Sequence, residues 1–186
     1  MGVVPVPISQ LVSQYPRRDR QNPAVYKYVE NIMKGIPGTP CCVQMSHAFN
    51  MSGVTIPSGS YRRTPTARQS IGGRTLYYLL AVDEFEHFLT KTYGDPEDVN
   101  VEVGKGLTGS QIRKRLRDRP GIVAFRFSGP GRPAPKGEFE HIELWTGGEI
   151  LQRDMAEDFL FRRPRVLFWD TNDTPKWLSD YMATQA

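Results

Sequence analysis

Cysteine is scarce in this chain of 186 residues: there are two, Cys41 and Cys42, and they are neighbours. Adjacent Cα atoms lie about 3.8 Å apart, below the ~4.4–6.8 Å usual in disulfides. A disulfide framework is therefore excluded. Long apolar runs are also missing. The longest, Leu76 to Val82, falls far short of the ~18 residues that cross a bilayer, so no membrane insertion is expected. The first residues carry no basic segment leading into an apolar helix, and no signal peptide is expected. Val6 stands where a myristoylation motif wants Ser or Thr. Histidine is limited to three, without zinc-like spacing to the cysteines or a His-Glu-x-x-His run, so neither a metal nor a cofactor is expected. The segment Gly104 to Gly109 lacks the Gly-Lys-Ser/Thr ending of a phosphate loop.

What is present is ordinary globular composition, 39% hydrophobic and 24% charged. One domain over residues 1–186 is expected at this length. Its 17 glycines and 15 prolines point to a loop-rich fold. The net charge of +4 is unevenly placed. Lys105, Arg113, Lys114, Arg115, Arg117 and Arg119 face only Asp118 within residues 105–119. Such a patch suits nucleic acid, an anionic substrate or an acidic protein, and equally a solvated helix face. A non-enzymatic basic binding module is thus one functional alternative. The absence of interleaved aromatic residues speaks against a single-strand nucleic-acid groove.

Residues 1–21, with Pro5, Pro7 and Pro16, read as an extended lead-in. A helix opens at Asn22-Pro23 and closes at Gly35. A second has Thr39 as cap, Pro40 as first residue and Gly53 as stop. Leu76 to Val82 reads as a short strand. A third helix starts at Asp83 with Glu86 completing a capping box, and a fourth at Thr108 with Gln111 in that role. Strands follow over Ile122–Phe127, Phe139–Trp145, Glu149–Asp154 and Val166–Trp169, with Gly147-Gly148 as a two-residue hairpin turn. A short helix is expected over 175–182. Helices first and an antiparallel sheet second make an α+β fold.

Cys41 falls in the first turn of the second helix, where the macrodipole favours a thiolate. It shares a face with Met45, Ala48 and Phe49, so a small buried hydrophobe is the plain alternative. His141 lies beside the hairpin turn. Counting back from Thr146 opposite Glu149 sets it opposite Asp154, close enough to orient the ring. Gln152 projects to the same face and remains a substitute. Cysteine, histidine and carboxylate in this order meet the needs of a cysteine peptidase, whose thiolate attacks a carbonyl while the imidazole moves the proton. Ser46-His47 is discounted as a dyad, because adjacent helical residues face different ways.

The run Cys41-Cys42-Val43-Gln44-Met45-Ser46-His47-Ala48-Phe49-Asn50, then Ser52-Gly53, resembles the active-site helix of the fourth family of bacterial type VI secretion amidase effectors. Gly121-Ile122-Val123-Ala124-Phe125 and His141-Ile142-Glu143-Leu144-Trp145 are similar to that family's central and histidine strands. The likeness runs from about Tyr15 to Met155. It implies a papain-like NlpC-type cysteine peptidase fold, with N-terminal helices packed on the antiparallel sheet. It also implies a peptidoglycan amidase, made in the bacterial cytoplasm, exported by the type VI secretion apparatus and active in a rival's periplasm. The implied bond is that between D-glutamate and meso-diaminopimelate of the stem peptide, and the implied partner is a cognate immunity protein. The catalytic group carried over is Cys41, His141 and Asp154, with Gln152 and Asp158 open for the third place.

Overall fold

The computed structural model describes residues 2–17, 27, 30–31, 39–59, 66–100, 108–127, 140–151 and 164–171. Its strands are β1 (Val3–Val4), β2 (Ala67–Ile71), β3 (Arg74–Tyr78), β4 (Glu97–Asp98), β5 (Gly121–Arg126), β6 (His141–Trp145) and β7 (Arg165–Thr171). The helices are α1 (Ile8–Gln14), α2 (Pro40–Met51), α3 (Val82–Tyr93) and α4 (Gly109–Leu116). The main sheet runs β1-β7-β5-β6, with β4 pairing β7. All its pairings are antiparallel except β1 with β7. The architecture is the α+β arrangement expected.

Strand β5 is buried at every position, because both faces of the sheet are covered and its Ile-Val-Ala-Phe run has no wet side. Its side chains divide by the period of two. Ile122 and Ala124 join Ile142, Leu144, Leu167 and Trp169 in a core with residues of α1, α2 and α3. Val123 and Phe125 join Trp145, Val166 and Phe168 under Ile112 and Leu116 of α4. Gly121 is forced by β7: a Cβ there would run into the Trp169 carbonyl oxygen.

The lead-in is not extended throughout. Ile8–Gln14 is a helix whose Ile8 and Leu11 are buried, since Pro7 pre-sets its start and the core takes its apolar face. Two residues before it pair with β7. The expected strand at Leu76–Val82 is displaced to Arg74–Tyr78, where it forms a hairpin with β2 around Gly72-Gly73. The helix α3 begins at Val82 with Ala81 as cap and no side-chain cap bond. Asp83 instead accepts from the neighbouring Glu84 N–H at 3.0 Å, so the expected capping box is absent. The box at Thr108 and Gln111 is present. The helix expected from Asn22 lies largely outside the described residues, although Lys27, Glu30 and Asn31 are helical. The 175–182 helix lies wholly outside them.

Candidate active site

Helix α2 is buried from Cys41 through Asn50, so its polar side chains need partners. Gln44 donates to the Pro16 carbonyl at 2.7 Å, and Asn50 to that of Tyr77 at 2.8 Å. Ser46 accepts from the Leu79 N–H at 3.0 Å, and His47 Nδ1 meets the Tyr78 hydroxyl at 3.2 Å. These residues tie α2 to the chain after α1 and to β3, which leaves Ser46 and His47 in structural roles. The helix start is fixed too: the Thr39 N–H donates to the Leu80 carbonyl at 3.0 Å.

Thr39 and Pro40 begin the helix as expected, which sets both thiols at its positive end. Neither is in a disulfide. The Thr39 hydroxyl donates to Cys42 Sγ at 3.1 Å and lies 3.5 Å from Cys41 Sγ, in place of the side-chain cap bond that this threonine does not make. The Cys41 thiol is pulled well below its usual range, first by a hydrogen bond from Cys42 and then, against burial, by the His141 ring. Cys42 is pushed the opposite way by burial and by its charged neighbour. Of the two, Cys41 is the one whose surroundings favour the thiolate.

His141 opens β6, paired with Phe125 of β5 and stacked on its ring at 6.4 Å. Burial alone pushes its imidazole down. The Cys41 thiolate and the Glu143 carboxylate override that and raise it to about 10. The cysteine and histidine named from sequence are thus brought together, close enough that each shifts the other's titration. The hairpin register also holds. Trp145 bridges Ile150, and the Leu151 N–H donates to the Leu144 carbonyl at 2.9 Å. Gln152, Asp154 and Asp158 lie outside the described residues. Glu143 was missed from sequence, although the strand period puts it on the face of His141.

Other features serve the scaffold. Arg115 pairs with Glu97 at 2.9 Å, and Arg119 with Glu97 at 2.8 Å and Asp170 at 2.9 Å. Part of the basic patch is therefore spent on β4 and β7, which weakens the binding-module alternative. No group of ligating side chains suited to a metal occurs among the described residues, and no described helix is long and apolar enough to cross a membrane.

Residues 39–169 match the family described as type VI secretion system amidase effector protein 4. No curated protein matches this chain. Among solved structures, the type VI effector Tae4 from Enterobacter cloacae is similar at 18% identity and a TM-score of 0.62, covering 92% of this chain and 100% of its own. The Tae4–Tai4 effector–immunity complex from Salmonella Typhimurium matches at 18% identity and a TM-score of 0.59, over 91% of this chain and 100% of the other.

Proposed function

The chain belongs to the amidase effector protein 4 family of the type VI secretion system, and from that premise we propose that it cuts the D-glutamate–meso-diaminopimelate amide bond of peptidoglycan through Cys41 and His141. The observation that carries the assignment is that the buried Cys41 thiol at the start of α2 and the His141 ring at the start of β6 meet and favour each other's charged form, inside the segment that matches the family. The Cys41 thiolate attacks the amide carbon, and the protonated ring gives its proton to the departing amine, leaving a thioester. His141 then takes a proton from water, which attacks the thioester carbon. The carboxylate is released and the thiolate returns. Backbone N–H groups at the helix start are the natural oxyanion donors.

Asp154 is the proposed third group. Its support is the register set by Trp145 opposite Ile150, which continues in count to His141 opposite Asp154. Export by the type VI apparatus follows from the family, and action in the periplasm of the target cell is proposed with the substrate. The proposed cognate partner is an immunity protein, as the Enterobacter and Salmonella effectors are solved in effector–immunity complexes, and it is proposed to cover the cleft. This chemistry needs no cofactor.

The test is digestion of purified meso-diaminopimelate-type peptidoglycan by wild type and Cys41→Ala, with mass spectrometry of the fragments. A thiol-dependent cut after D-glutamate is expected. Cleavage that survives in Cys41→Ala, or a cut at another bond, overturns the assignment.

A further inference from the structure

Resting on Cys41 and His141 as the reacting pair, we propose that Glu143, held by Tyr15, is a positioning residue that fixes the His141 ring against Cys41. Glu143 stands two residues after His141 on β6, so the two side chains leave the same face. Its Oε2 lies 3.7 Å from His141 Nε2. That nitrogen is buried and has no hydrogen-bond partner among the described residues. Glu143 is itself fully buried, a costly place for a carboxylate without compensating charge.

Its orientation is fixed from two directions. The Tyr15 hydroxyl donates to Oε2 at 3.0 Å, and the Leu144 N–H donates to Oε1 at 2.8 Å. Tyr15 is the residue that caps α1, so the helix hidden in the lead-in delivers the clamp. A separation of 3.7 Å is too long for a direct hydrogen bond. The carboxylate therefore acts by charge, a contribution that survives small movements of the ring. The titratable groups gathered here are Cys41 and Cys42 from α2, Tyr15 beyond α1, and His141 and Glu143 from β6, with Asp83 of α3 behind Cys42. In this set Glu143 supplies the negative charge on the side of the imidazole that has no hydrogen-bond partner among the described residues.

The experiment measures the rate of Cys41 alkylation by iodoacetamide across the acid to alkaline range. It uses the full chain with Cys42→Ala as background, so that one thiol reports. Glu143→Gln keeps the shape and removes the charge. It is expected to move the alkaline step of the alkylation profile, where the ring loses its proton, down by roughly one pH unit, a tenfold loss of support for the imidazolium. The same downward move is expected by NMR of the imidazole. Tyr15→Phe shifts both readouts the same way by less, since the carboxylate remains. Glu143→Asp restores part of the effect.

A folded Glu143→Gln protein with the parent's alkylation profile overturns the proposal, as does a profile that moves only with Asp154→Asn. Should Glu143→Gln fail to fold, an unmoved profile in Tyr15→Phe overturns it equally. Alkylation needs no wall substrate. A chain that leaves peptidoglycan uncut while Glu143→Gln shifts the profile loses the substrate assignment and keeps this one.

Discussion

At Cys41 the hydrogen bond from Cys42 and the charge of His141 together outweigh the penalty of burial. The two thiols are consequently unequal in a way that their adjacency hides. Cys41→Ala should abolish amide cleavage, because no second nucleophile occupies the position next to the ring. Cys42→Ala should cost only a few-fold, the worth of about 1 kcal/mol for one lost hydrogen bond; fragment release from peptidoglycan measures both. The pH dependence has a definite sign. The thiolate is populated above the depressed value of Cys41, so activity rises from the acid side early. The leaving amine needs the imidazolium proton, so activity falls as pH rises through the His141 value of about 10. A kcat/KM profile with a broad plateau across neutral pH and an alkaline decline near that value is expected. An ordinary thiol and an ordinary histidine would place the alkaline decline near the usual thiol value instead, with only a small share of the enzyme correctly ionised on the plateau.

At the scale of elements, the site depends on how β5 sits between β6 and β7. Gly121 pairs with both Trp145 and Asp170, and a methyl group there meets the Trp169 carbonyl oxygen and the Phe168 ring. Gly121→Ala should therefore destabilise the fold by ~1–3 kcal/mol, as overpacking does, read as a lower urea midpoint at unchanged slope. The elements that sequence made legible are those with strong local chemistry. Thr39-Pro40 starts α2, Thr108 with Gln111 starts α4, and Gly147-Gly148 sets the register that ends at Trp145 and Ile150. The missed ones have a physical reason each. The prolines of the lead-in masked α1, whose stability comes from docking Ile8 and Leu11. The two-residue strands β1 and β4 are too short to show a period. Gly72-Gly73 carried the same turn signal as Gly147-Gly148, but only the apolar half of its hairpin drew notice. Cys41 and His141 were legible through motif and register, whereas Glu143 and Tyr15 meet across most of the chain, a contact that no local pattern encodes.

At the scale of the whole molecule, a buried arginine joins the helical layer to the sheet beside the site. Arg126 ends β5 and is fully buried. Its guanidinium pairs with Glu86 of α3 at 2.9 Å and with Glu140, the residue before His141. Glu140 also accepts from the Phe127 N–H at 3.0 Å, so the trio fixes where β6 begins. Removing the cation takes the shared guanidinium from the buried carboxylates of Glu86 and Glu140, with Arg165 still 3.7 Å from Glu86. Arg126→Met should therefore cost ~3–5 kcal/mol, whereas Lys114→Ala on the exposed side of α4 should stay within about 0.5 kcal/mol. The Coulomb account makes a sharper demand. Adding Glu86→Gln and Glu140→Gln to Arg126→Met removes the carboxylate charges while preserving the acceptor for Phe127. Most of the lost stability should then return, although the ion pairs are gone. Urea unfolding of the single and triple variants separates the two accounts. If the triple variant is no more stable than Arg126→Met alone, packing of the arginine stem, rather than its charge, is what locks α3, β5 and the start of β6 together.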